Sequence, residues 1–466
     1  MRRISSFLLL ALAGALLTVN SMSLSASPSV QVTLPGTNTP LPLVFETNTP
    51  PPTDTLAPTD TLAPTDTLPP TMTPTFTDSP TFTPSPTATV MGPVTYPDGY
   101  NSLTGLPYPN AEAMNRRNLL VKISNYPPVV RPQSGVNAAD LVYEYEVEGG
   151  VTRFAAIYRS QAPTHVGPVR SGRLMDLNLV PMYQALYAYS GASDPIQKMI
   201  LKQPWAHQVI SPSIGDNCDE AGFCRFPKPG LAFEHTLYVD TTKVWARAEA
   251  RGVNQPERAR GFSFDTTPDP NGTPATDVDI AYYGQVDAHW QYRAATNTYV
   301  RYTDQQPHMD AADGQQLWAD NVVVIEVPHE ERPDLFEPES HSASQQIDLW
   351  GEGRAYVFRD GVYYQGYWKR DCRGQVPDPT PTPIVGTQPI QCYAREGDAL
   401  QLVYGNNTPI ELKPGRTWVM VTRWMNYVTI GDDLPNLDAT AAQLALTPTD
   451  TPWPTPIHTS TPTPGS

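Results

Sequence analysis

A Thr/Pro repeat at the front of the chain most narrows what this sequence can fold into. Residues 33–89 repeat a unit around PTDTL, seen at 52–56, 58–62 and 64–68, and residues 447–464 have the same flavour. Most of the excess in the chain's 52 prolines sits in these two places. Such segments carry too little apolar surface to offset the entropy of an ordered chain, and proline favours extended polyproline II. They read as spacers: about 55 residues at ~3.1 Å each reach on the order of 170 Å. A hydrophobic core therefore has to come from residues 93–436, long enough for two domains. The expected layout is a signal peptide at 1–25, a stalk at 26–92, an N-terminal domain at 93–265, a C-terminal domain at 277–436 and a tail at 437–466.

The signal reading rests on Arg2 and Arg3, a short apolar run at 7–19, and small residues at Ser23 and Ser25. The run suits a signal h-region and is short for a bilayer-spanning helix, which needs about 20 apolar residues. No later run is long enough to span. The expectation is an exported protein, secreted or cell-wall associated, with an N-terminal membrane anchor as the alternative. The first cysteine is Cys218, so no cysteine follows the apolar run to carry lipid. Four cysteines in an exported chain read as two disulfides with three pairings possible. Cys218–Cys224 and Cys372–Cys392 are preferred because each pair is close in sequence and encloses a turn-rich segment. Zinc is the alternative, but neither pair has the spacing of a zinc knuckle. A net charge of −16 argues against a general nucleic-acid or anionic-membrane surface.

Periodicity predicts α+β followed by mostly antiparallel β. Residues 141–148 alternate strictly, with Leu141, Tyr143, Tyr145 and Val147 facing one way and Val142, Glu144, Glu146 and Glu148 the other. Gly149 and Gly150 turn the chain into a partner strand at 153–159. Helices are predicted at 173–182, from Ser193 to Leu201, and at 241–251 after the cap Asp240. In the second part, 278–283, 289–293, 299–302, 321–327, 400–404 and 417–422 are strand-like. Residues 354–359 and 362–368 form a hairpin around Asp360-Gly361. The break falls at 266–276.

Several motifs stand in fixed order along the chain: NSLTGL at 101–106, KISN at 122–125, RPQSG at 131–135, EGGVTR at 148–153, GPVRS at 167–171 and YSGAS at 189–193. RDG at 359–361, WK at 368–369 and PGRTW at 414–418 follow in the second part. Together they resemble the YerB-like bacterial lipoproteins. The resemblance implies a bacterial envelope protein with paired N- and C-terminal domains, and it implies no established reaction. The chain departs from it in lacking the lipid-bearing cysteine and in a Pro/Thr-rich insert near 377–389.

The candidate ligand-binding face is Glu144, Glu146, Glu148, Arg153, Arg170 and Arg173. Carboxylates crowded on one strand face need cations or solvent, and an arginine in surplus can hold a ligand carboxylate or phosphate. The bland alternative is an ion-pair network that only orients the strand. Glu148 and His235, in FEHT at 233–236, are the candidate catalytic pair, since imidazole titrates near neutrality. Ser193 reads as a helix cap rather than a nucleophile. His308, His329 and His341 lack metal-ligand spacing, so no metal is assigned. No cofactor fingerprint is present. Tyr282, Tyr283, Trp290, Tyr292, Tyr363, Tyr364, Tyr367 and Trp368 either pack a sheet or stack on sugars. The sequence thus supports an envelope protein that binds a cell-wall glycan or peptide, or an envelope protein partner. The alternatives are a wall hydrolase using Glu148 and His235, or a regulator of wall enzymes.

Overall fold

The computed structural model describes residues 90–282, 286–337, 341–370, 397–431 and 437. The expected signal peptide, nearly all of the stalk and tail, Tyr283, Cys372 and Cys392 lie outside the described residues. The first half supplies β1 (Leu119–Ser124), β2 (Leu141–Val147), β3 (Val151–Tyr158), α1 (Asp176–Tyr183), β4 (Leu186–Ala188), α2 (Asp194–Leu201), β5 (Val209–Ile210), β6 (Phe223–Arg225), β7 (Leu237–Val239) and α3 (Thr241–Ala250). The second half supplies β8 (Thr273–Pro274), β9 (Asp277–Tyr282), β10 (Val286–Arg293), β11 (Thr298–Thr303), β12 (Asn321–Glu326), β13 (His329–Glu337) and β14 (Ser342–Ile347). It continues with β15 (Gly351–Arg359), β16 (Val362–Arg370), β17 (Gln401–Val403), β18 (Thr417–Thr422) and β19 (Val428–Ile430).

Among the described residues, 11 strands form one sheet in the order β8-β16-β15-β12-β18-β2-β3-β1-β4-β5, with β17 beside β16. The sheet runs through both halves. Its seam is β18, which pairs in parallel with β12 on one side and β2 on the other, setting Val419 opposite both Val323 and Tyr143. The stretch expected to separate two domains carries β8, which pairs with β16.

Every residue of β1, β2, β3 and β18 is buried. That follows from cover on both faces of the sheet. On one face Leu120, Tyr143, Ala155 and Ile157 pack with Leu179, Met182, Ile196 and Ile200 of α1 and α2. On the other, Val121, Val142, Phe154 and Ala156 pack with Val244 and Ala248 of α3 and with Ile280, Trp290 and Tyr299 of a second, six-stranded sheet. The molecule is sheet-rich α+β, as its pattern predicts. Asp240 caps α3 as expected, accepting from the Thr242 N–H at 2.9 Å. Asp360 (φ 53°) and Gly361 (φ 77°) make the left-handed turn between β15 and β16. Ser193 is no cap: its hydroxyl donates to Glu337 Oε1 at 2.7 Å, joining the start of α2 to β13.

Candidate functional site: a cluster of arginines at the end of the main sheet

Alternation along β2 puts Glu144 and Glu146 on the face opposite Tyr143 and Tyr145. Glu144 is fully buried. It accepts from Thr152 Oγ1 at 2.9 Å and meets Arg301 of β11 through Nη2–Oε1 at 3.0 Å and Nη1–Oε2 at 2.9 Å. The Arg301 guanidinium lies 5.2 Å from the Trp418 ring and 5.5 Å from that of Trp290. Burial raises the Glu144 pKa against the pull of Arg301, and burial lowers that of Arg301. Each charge persists because of the other. Glu146 accepts from Arg423 Nη2 at 2.6 Å and Nε at 3.0 Å. The six residues expected on one face therefore divide. Glu144 and Glu146 bind the second half of the chain to the first, and their partners are not Arg153, Arg170 or Arg173.

Glu148 leaves the alternation. The turn Glu148–Gly150, with Gly149 and Gly150 in left-handed conformation, swings its carboxylate to Arg173. Arg173 donates from Nε to Oε2 at 2.7 Å and from Nη2 to Oε1. Burial opposes the Glu148 charge, but Arg173 outweighs it and holds the pKa below the usual carboxylate value.

Arg153 sits on β3 directly opposite Tyr145 and is 7% exposed. Its Nη1 donates to the Thr152 carbonyl at 3.0 Å, and among the described residues its guanidinium has no ion-pair partner. Burial first, then the charges of Arg170 and Arg173, push its pKa down to about 9. Arg170 follows a stretch held against β1: its N–H donates to the Lys122 carbonyl at 2.9 Å, and its carbonyl accepts from Ser190 N–H at 3.0 Å. The Arg170 side chain donates to the Glu234 carbonyl at 3.1 Å. His235 is buried beside them, and among the described residues its Nδ1 has no hydrogen-bond partner. Burial, then Arg170, lower its pKa, so the ring is neutral at pH 7. Its carboxylate neighbour is Glu234, at 3.7 Å, and not Glu148.

Two supports were missed in the sequence. Beneath the arginines, buried Asp176 accepts from the Arg173 N–H at 2.8 Å, Tyr187 at 2.6 Å, Lys122 at 3.3 Å and the Tyr145 hydroxyl. Burial pushes Lys122 down to about 8. A lysine inside the apolar run of β1 was the available signal, because a charge there has to be paired. Beside them stands Arg225, on β6, with its guanidinium 3.6 Å from the Phe233 ring. The Cys218–Cys224 disulfide anchors β6 as the spacing predicts.

Residues 103–254 match the family described as "Protein of unknown function (DUF3048) N-terminal domain", and residues 278–382 match its C-terminal domain. The "Putative lipoprotein YerB" of Bacillus subtilis (strain 168) is 27% identical over 279 residues, covering 58% of this chain and 77% of that protein. The chain belongs to the DUF3048 family. The crystal structure of the YerB protein from Bacillus subtilis superposes with a TM-score of 0.55 at 23% identity, over 72% of this chain and 99% of that one. The fold of this chain is thus similar to that of a solved structure. Glu148, Arg153, Arg170, Arg173 and His235 fall within the matched N-terminal domain, and Arg301 within the matched C-terminal one. Arg423 and the seam strand β18 lie beyond both matched stretches.

Proposed function

We propose that this protein is a binding protein of the bacterial envelope, and that Arg153, with Arg170 beside it, holds a carboxylate or phosphate of a cell-wall component while Arg173 stays clamped to Glu148. Arg153 carries the reading. It is a nearly buried cation with Arg170 and Arg173 close by and no ion-pair partner among the described residues. Desolvating such a charge costs free energy unless a counter-ion arrives, and an anionic ligand supplies one through a bidentate fork. His235 Nδ1 offers a further polar contact in the same place. Exported location is supported by the leader-like first 25 residues and by a relative whose name describes a lipoprotein. No helix among the described residues is long and apolar enough to cross a membrane.

Binding is favoured over wall hydrolysis by the state of the two catalytic candidates. Glu148 is clamped and ionised by Arg173, so it has no proton to give. His235 is not hydrogen-bonded to it. The test is calorimetric titration with soluble muropeptides and with poly(glycerol phosphate), comparing wild type and Arg153→Gln. Affinity for at least one anion should drop tenfold or more in the variant, with melting unchanged or raised. Equal affinity in both proteins rejects the site, and release of soluble wall products by the wild type makes it an enzyme.

A further inference from the structure

A strip of aromatic rings crosses the outer end of the main sheet, far along the strand order from the arginines. On β15 and β16, Arg354 stands opposite Tyr367, Tyr356 opposite Gln365, and Phe358 opposite Tyr363. Directly opposed residues share a face. Phe358 is buried under the second sheet, and Tyr363 stacks on it at 5.5 Å. Farther along the same face Tyr367 is 41% exposed. The alternate residues Tyr364 and Trp368 fill the core behind it. Tyr356 and Tyr363 lie partly buried against the core, which leaves Tyr367 as the hairpin's exposed ring.

The strip continues onto the turn Met425–Tyr427. Met425 is buried and anchors the turn, which leaves Trp424 48% exposed, edge-on to Tyr427 at 5.3 Å. Glu326 fixes both sides. It accepts from the Met425 N–H at 3.0 Å and from Arg354 at 2.8 and 2.5 Å. The resulting open depression is lined by Arg354, Tyr356, Trp424, Met425, Asn426 and Tyr427.

Charge selects the ligand class. Arg354 is matched by Glu326 and Lys369 by Glu352, so the strip has no net charge to offer an ion. What remains among the described residues is two exposed rings, Tyr367 and Trp424, with partly buried Tyr356 and Tyr427 beside them and the Arg354 guanidinium already held in place. Exposed apolar patches with a polar rim mark binding sites. A pyranose presents the complementary surface, with axial C–H groups to meet the negative ring face and equatorial hydroxyls to meet the rim. Tyr363 and Tyr367 are four residues apart on one strand, ~13 Å, which favours an extended chain over a single sugar. We infer that this strip binds an uncharged glycan strand. The inference is independent of the anion site.

The experiment titrates the full chain with the β-1,4-linked N-acetylglucosamine hexamer and with cellohexaose, following tryptophan fluorescence and heat. At least one hexamer should bind, with affinity reduced tenfold or more by Trp424→Ala and by Tyr367→Ala. Both variants should melt as the wild type does, and Arg153→Gln should bind the sugar normally. Should Trp424→Ala fail to fold, Tyr367→Ala decides alone. The inference is overturned by no binding of either sugar, or by binding that survives both substitutions. It is also overturned if a synthetic peptide of residues 51–68 occupies the strip in preference to either sugar, since aromatic grooves also take polyproline II.

Discussion

Glu144 and Arg153 lie on neighbouring strands of one sheet, yet their substitution should have opposite effects. Glu144→Ala leaves Arg301 as a lone charge among aromatic rings, a loss of about 3–5 kcal/mol. A shift of the denaturant midpoint at constant slope would measure it, and a loss under about 1 kcal/mol would mean that water reaches the pair. Arg153→Met removes a charge that the fold already disfavours. Melting should be unchanged or raised, while anion binding disappears. In the wild type, a tight anion at 100 times its Kd should add about 2.7 kcal/mol, and the variant should not respond. The sequence disclosed the residue types of this site but not the pairing. Arg301 is 157 positions from Glu144, and nothing in strand alternation says which cation lies across a layer. It also could not foresee that the Gly149-Gly150 turn rotates Glu148 away from its strand neighbours.

Elements were legible wherever one face of a strand or helix had to differ from the other, or where a turn needed a special residue. The hairpin at Asp360-Gly361 and the cap of α3 are such cases. The β13–β14 hairpin was not, because HEERPDLFE has no alternation to read and much of it is exposed. Its few inward contacts, at Leu335 and Ile347, come from tertiary packing. The short β6–β7 hairpin has little core of its own and relies on the Cys218–Cys224 link. Replacing both cysteines by serine should cost about 2 kcal/mol from loop entropy and weaken anion binding, because β6 carries Arg225 and the chain before β7 carries His235. Unchanged melting and binding in that double variant would exclude a role for the disulfide.

The second sheet should make stability depend on alkaline pH. His289 on β10 is buried, which disfavours its charge. Hydrogen bonding to Asp277 at 3.0 Å and the nearby Asp279 at 3.6 Å more than compensates and holds its pKa at about 9. A basic group raised in the folded state contributes stability that is complete below its unfolded value near 6.5 and is lost as pH rises through about 9. Asp287, the carboxylate beside Asp279, is raised to about 7 by burial and by Asp279. Its contribution is complete below about 4 and fades as pH rises through 7, in the same direction. The melting temperature should fall between pH 7 and 10, and His289→Gln should flatten that fall. A profile equally steep in the variant would place the titration elsewhere.

At the scale of the whole molecule, a composition break at 266–276 and two family matches describe the chain as two successive parts, whereas the sheet treats them as one. The seam was invisible in the sequence because β18 forms parallel pairs with strands distant in the chain, and parallel pairing leaves no turn to recognise. Its apolar run TWVMVT is buried on both faces between β2 and β12, so neither half has a finished edge without it. A fragment of residues 93–265 would present all of β2 as an open, apolar edge and leave Glu144 and Glu146 without Arg301 and Arg423. Open edges of that kind invite aggregation. The fragment should fail to melt cooperatively, and a chain ending at residue 410 should fail in the same way although it retains everything the two family matches cover. Co-expression of 93–265 with 266–440 should restore a single transition, since β18 arrives with the second piece. Cooperative melting of 93–265 alone, at a temperature near that of the full chain, would mean that the first part is an independent domain and that β18 only docks against it.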